Sequence, residues 1–145
     1  MIGDEEPLIR VIFSPVFLKN GELRRSAFTP RSGTNQISVT RLHHSTPHMC
    51  KRQRNYIHIH DDYTGLASIY AVKVRECNGS DAVAAPTKQN SAHAHIELAE
   101  KKIYGEPMSP RMLEAADMLC ERARFFPDPD INSDEWTGDD LEYSI

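Results

Sequence analysis

The stretch Asn90-Ser91-Ala92-His93-Ala94-His95-Ile96-Glu97-Leu98 concentrates the titratable chemistry of this 145-residue sequence. Two histidines one residue apart, followed by an apolar–polar alternation, predict a strand with His93, His95 and Glu97 on one face. Imidazole titrates near neutral pH, so such a pair suits acid–base chemistry, metal ligation or hydrogen bonding in a polar cleft. The same spacing also fits the solvated face of a half-buried strand. Two further segments supply complementary groups. Leu8-Ile9-Arg10-Val11-Ile12-Phe13 reads as a central strand, and an Arg inside it is costly unless its guanidinium meets an anion or lines a cleft. Gln36-Ile37-Ser38-Val39-Thr40-Arg41-Leu42 alternates as a second strand. Brought together, Arg10, Ser38, His93 and His95 form the candidate catalytic set, and Arg41, Asn90 and Glu97 the candidate ligand contacts. An Arg fork beside hydroxyls and imidazoles suits a phosphate-containing ligand.

These strands need a frame. At 145 residues the chain is long enough for one core without disulfide staples. Leu66 to Val74 and Ala82 to Ala85 predict two more strands. Ser45-Thr46-Pro47 and Ser109-Pro110 each carry an N-cap followed by Pro at the first helical position. The first opens a short basic helix to about Asn55. The second opens a helix whose Met112, Leu113, Ala116, Leu119, Cys120 and Ala123 fall at helical spacing. The expected fold is α+β, a small twisted mixed or antiparallel sheet of about five strands with this C-terminal helix packed on it. Residues 1–126 are expected to form one domain and 127–145 an acidic tail.

Charge is divided unevenly. Residues 1–75 hold 11 Lys and Arg against 6 Asp and Glu, whereas residues 76–145 hold 6 against 15. The basic run from Arg24 to Arg54 raises nucleic acid as a partner, but it has few aromatics to stack on bases, and the near-neutral pI argues against tight binding. The same surface fits self-neutralisation by the acidic half. Residues 127–145 carry seven acidic side chains and no basic one, with Trp136, Leu141, Tyr143 and Ile145 interspersed. Alternating acids and large apolar groups suit docking, either back onto the basic region or onto a protein partner, with Trp136 and Tyr143 as contacts; a frayed, solvated terminus fits the same composition.

His58-Ile59-His60-Asp61-Asp62 matches a His-x-His-x-Asp metal-ligand spacing, with Tyr63 where a further His would stand. His93 and His95 would complete such a site, but a loop rich in His and Asp is more often simply solvated, and no metal is expected. Cys50, Cys77 and Cys120 are widely spaced, without Cys-x-x-Cys, and the N-terminus is acidic where a signal peptide is basic. Reduced thiols in a cytoplasmic protein, with no membrane association, are expected.

The pattern Phe13-Ser14-Pro15, Gly21, Ser26-Ala27-Phe28, Ile37-Ser38-Val39-Thr40-Arg41, Gly65-Leu66-Ala67, Val72 and Asn90-Ser91-Ala92-His93-Ala94-His95-Ile96 resembles a set of small uncharacterised bacterial proteins. That resemblance covers roughly residues 8–98 and brings no activity with it. The order of an Arg strand, a Ser strand and a His strand is more faintly similar to ADP-ribosyltransferase-like toxins and RNA 2′-phosphotransferases. Those enzymes set an Arg or His, a Ser and a late polar residue around NAD. Here Ser38-Val39-Thr40 stands where many of them have Ser-Thr-Ser. This similarity implies NAD as cofactor and protein or RNA as substrate. The leading expectation is instead an accessory or interaction protein, of a bacterial toxin, defence or mobile-element system, with a polar Arg/Ser/His cleft for a phosphate-containing ligand.

Overall fold

The computed structural model describes residues 1–143; Ile145, counted above among the apolar groups of the tail, lies outside them. The fold is α+β. Strands β1 (Pro7–Ser14), β4 (Gln36–Arg41), β5 (Asp62–Tyr70), β6 (Asp81–Ala84), β7 (His93–Glu97) and β8 (Arg124–Pro127) form one sheet, in the order β6-β7-β4-β1-β5-β8. Every pairing in it is antiparallel. Strands β2 (Leu18–Lys19) and β3 (Glu22–Leu23) form a separate hairpin. Its turn residues Asn20 and Gly21 both have positive φ, as a tight hairpin turn requires.

Antiparallel partners share a face, so the register sorts the side chains. One face carries His93, His95, Glu97, Gln36, Ser38, Thr40, Ile9, Val11, Leu66, Ser68, Arg124 and Phe126. The other carries Ala94, Ile96, Ile37, Val39, Arg41, Leu8, Arg10, Ile12, Ala67 and Ile69. The second face packs under a 3₁₀ helix (Arg25–Phe28) and helix α3 (Pro110–Arg122), which buries Met112, Ala115, Ala116 and Leu119. Ser109 caps α3 by accepting from the Met112 amide at 3.2 Å, with Pro110 at the first turn. Helix α1 (Pro47–Arg52) begins the same way, Thr46 accepting from the Met49 amide at 3.1 Å.

The first face is only half covered. Helix α1, the following 3₁₀ helix (Gln53–Tyr56) and residues 128–143 lie over the β1, β5 and β8 side. Over β4, β7 and β6 that face is open, leaving Gln36, Ser38 and Val83 exposed and His93, His95 and Glu97 partly so.

Two elements depart from the sequence reading. The apolar run Leu66–Val74 is a strand to Tyr70 and then helix α2 (Ala71–Arg75). The Ala71 and Val72 amides turn away to the carbonyls of Glu6 and Asp4, at 2.9 and 3.0 Å. Residues 124–127 form β8, on the edge beside β5, where Pro127 costs no inner ladder bond. Among the described residues no helix is long and apolar enough to cross a membrane.

Candidate functional site

Strands β1 and β4 are paired through only Leu8–Arg41 and Ile9–Thr40, whereas β1 and β5 stay paired along the whole of β1. Beyond Ile9 the two central strands part, and a cavity of about 170 Å³ opens between them. Ile9, Val11, Ser38 and Thr40 face it from the half-open side of the sheet. Asn90 and His93 form one wall, and Gln53, Tyr56 and Ile57 form the rim.

Arg10 lines this cavity although its side chain projects to the opposite face, where its guanidinium reaches the strand gap at the Ser38 carbonyl. Its Nε donates to the Ala27 carbonyl at 2.7 Å and its Nη1 to the Ser38 carbonyl at 3.0 Å. The guanidinium also lies 4.9 Å from the centre of the Phe17 ring. Among the described residues it has no carboxylate partner, and Nη2 has no protein acceptor. Desolvation pushes its pKa down to about 10, and the group remains a cation at neutral pH. The side chain is partly buried, and a cation held only by neutral carbonyls leaves its charge unbalanced.

The neighbouring polar groups divide into spent and available. Asn90 is buried and committed, its Nδ2 donating to Thr40 Oγ1 at 2.9 Å and its Oδ1 accepting from the Ala92 amide at 3.0 Å. These bonds tie the start of β7 to β4. The Ser38 hydroxyl is exposed at the mouth. His93 Nδ1 lies 2.8 Å from the Ala85 carbonyl, which fixes the tautomer with the proton on Nδ1 and leaves Nε2 open. The His93 and His95 rings stand edge to face, centroids 4.9 Å apart. Burial, and then the neighbouring His93, hold the His95 pKa below the ordinary imidazole value.

The structure therefore brings Arg10, Ser38, Asn90 and His93 to one cavity. His95 and Glu97 continue along the same open face beyond it; Glu97 lies 3.5 Å from the Gln36 amide. Arg41 does not join them. It turns to the other face and forks onto Glu6, with both contacts at 2.9 Å. Gln53, Tyr56 and Ile57 escaped the sequence reading, since they sit at the frayed end of a short helix with a thin apolar face. The only hint was an aromatic directly after a basic stretch.

Residues 128–143 fold back onto the chain's own basic helix and sheet. Lys51 and Asp128 form an ion pair at 2.8 Å with both side chains 0% exposed. Lys51 Nζ also donates to the carbonyls of Asp130 at 2.7 Å and Glu135 at 2.9 Å. Arg54 reaches the Ser133 carbonyl, and His43 meets Glu142. Trp136 is partly buried and donates to the Asp139 carbonyl at 3.0 Å. The Tyr143 hydroxyl donates to the Ser68 and Arg122 carbonyls, at 3.1 and 3.3 Å.

His58 and His60 are exposed, and Asp61 is used to accept from the Val16 amide at 2.8 Å. Among the described residues no group of three His, Cys, Asp or Glu side chains has the geometry to hold a metal ion. Comparisons of the chain with family models, with curated proteins and with solved structures each gave no match.

Proposed function

We propose that this chain is a binding protein for a small phosphate-containing ligand, whose anionic group enters the gap between β1 and β4. The observation that carries the reading is Arg10: a partly buried guanidinium with no carboxylate partner among the described residues, bordering a cavity with Ser38 and His93. Phosphate supplies the missing negative charge and several acceptor oxygens. Arg10 Nη2 is the donor at the strand gap. The Ser38 hydroxyl donates at the mouth, and His93 Nε2, left as an acceptor by the Nδ1–H bond to Ala85, takes the hydrogen of a monoprotonated phosphate.

The cavity of about 170 Å³ takes one such group and little more, well below the several hundred Å³ of a typical small-molecule pocket. A dinucleotide such as NAD would have to lie largely outside it. We therefore favour binding over catalysis, in an accessory or interaction role. A cytoplasmic setting fits three cysteines held as free thiols. Cys50 is buried, and desolvation raises its thiol pKa to about 12, which keeps it unreactive.

Calorimetric titration with inorganic phosphate tests the reading, using wild type and the variants Arg10→Gln, Ser38→Ala and His93→Ala. Saturable binding that falls at least tenfold in Arg10→Gln and severalfold in each of the others supports it. Equal binding by wild type and folded Arg10→Gln refutes it. Release of nicotinamide from NAD by the purified chain would make it an enzyme.

A further inference from the structure

We infer that the phosphate this cavity receives is carried on an aromatic ring, as an aryl phosphate monoester of the kind a phosphotyrosine side chain presents. The inference rests on the phosphate-binding reading and adds the ligand's chemical class. Its ground is the distribution of apolar and polar groups from the strand gap to the rim.

Among the described residues that line the cavity, polar groups with free capacity are Arg10, the Ser38 and Thr40 hydroxyls and, at the rim, the Gln53 amide and the Tyr56 hydroxyl. The Thr40 oxygen accepts from Asn90 at 2.9 Å, and His93 Nε2 is an acceptor. The apolar lining on this face is Ile9 and Val11, with Ile57 and Tyr56 at the rim. Bare phosphate offers these apolar groups nothing. A phosphorylated serine brings a single methylene, which leaves Ile57 and the Tyr56 ring at the rim uncovered.

A planar ring attached directly to the phosphate ester oxygen meets both requirements. The cavity of about 170 Å³ is filled by the phosphate, so the ring it carries comes to lie at the open mouth. The phosphate reaches Arg10 at the strand gap while the ring lies between Ile57 and Tyr56 at the mouth. Tyr56 is 57% exposed, an aromatic ring that packs under nothing in the chain yet borders a cavity. Offset or edge-to-face contact with a second ring is the interaction such a side chain offers. A nucleoside monophosphate also joins a ring to a phosphate, but its intervening sugar lifts the base clear of a cavity this small.

The test compares inorganic phosphate, phosphoserine, phenyl phosphate, adenosine monophosphate and a short phosphotyrosine peptide at constant salt. Wild type and Tyr56→Ala are both used, the exposed side chain making this replacement harmless to folding. Phenyl phosphate is expected to bind at least tenfold tighter than inorganic phosphate or phosphoserine. Tyr56→Ala is expected to remove most of that advantage and leave inorganic phosphate unchanged. A phosphotyrosine peptide that binds tighter still assigns the ring to a protein partner, and one that binds equally assigns it to a free aryl phosphate. Phenyl phosphate no tighter than inorganic phosphate overturns the aromatic inference while the phosphate reading stands. Adenosine monophosphate binding tighter than phenyl phosphate overturns it in favour of a nucleotide. Failure of every probe to bind overturns the underlying reading as well.

Discussion

Arg10 Nη1 donates to the main-chain carbonyl of Ser38 at 3.0 Å, across a level of the sheet where β1 and β4 share no ladder pair. A side chain thus bridges the two central strands where backbone bonds have stopped. That bridge ties the two strands and sets a cation beside the gap. The structural role and the proposed binding role fall on one residue, so they have to be separated by experiment.

Arg10→Gln is expected to destabilise the fold by about 1–3 kcal/mol, the range for losing hydrogen bonds from a charged donor that leave carbonyls short of a partner. Arg10→Lys should regain stability in part, but lacks the planar fork and should leave phosphate binding weak. Urea midpoints set beside phosphate affinities check this. Binding that tracks stability across both variants would reduce Arg10 to a brace.

Lys51→Met should cost about 3–5 kcal/mol, because it strands the fully buried Asp128 carboxylate. Replacing both members, as Lys51→Met with Asp128→Leu, should recover part of that loss, since no charge remains uncompensated. Chemical unfolding of the two variants measures the difference.

Acid should loosen the same region. Burial alone raises the Asp128 pKa, but hydrogen bonds from Lys51 and the Tyr63 hydroxyl outweigh it and hold the carboxyl below the usual range. Glu6 beside Arg41, Asp81 beside Arg75 and Asp117 beside Arg25 are lowered likewise. For a depressed carboxylate, stability is fully present above the unfolded value, about 4, and is lost as pH falls through the folded value. Stability measured from pH 7 downward should therefore stay flat on this account to about pH 5 and then decline. Asp128→Asn should flatten part of the decline.

The C-terminal segment should resist salt. Exposed pairs are screened over about 10 Å at ordinary ionic strength. Here, however, the docking rests on buried contacts: Leu141 is 0% exposed, and the Lys51–Asp128 pair is out of solvent. Trp136 emission should sit to the blue of a fully exposed indole and stay there in about 0.5 M salt. Leu141→Ala should cost about 2–5 kcal/mol and shift the emission to the red. A red shift with salt alone would mean that the surface charges hold this segment.

Much of this frame was legible in the sequence, for physical reasons that differ by element. Strands β4 and β7 alternate, with Ile37 and Val39, or Ala94 and Ile96, buried between polar neighbours, and period 2 reports that directly. Ser109-Pro110 announced α3 through its cap. Strand β8 was hidden because Pro127 and the acids after it look like a terminator, whereas on a sheet edge Pro is tolerated. The change from β5 to α2 at Tyr70 was invisible, since the apolar run continues through it and only long-range bonds to Asp4 and Glu6 set the turn. His93, His95 and Glu97 could be placed on one face. That Arg10 would meet them through a gap could not, because the length of the β1–β4 ladder is decided by tertiary pairing. Asn90 read as a ligand contact, yet its amide is used to fasten β7 to β4.

The most direct test of the central claim is the NMR signal of the Arg10 Nε–H group, followed as inorganic phosphate is added to labelled protein at fixed salt. Seating phosphate in the β1–β4 gap should shift that resonance saturably, together with the Ser38 and Thr40 amides and the His93 ring. The same titration of folded Arg10→Gln should leave Ser38, Thr40 and His93 unmoved. An Arg10 signal that stays fixed while phosphate shifts only exposed lysines such as Lys88 and Lys101 would contradict the account.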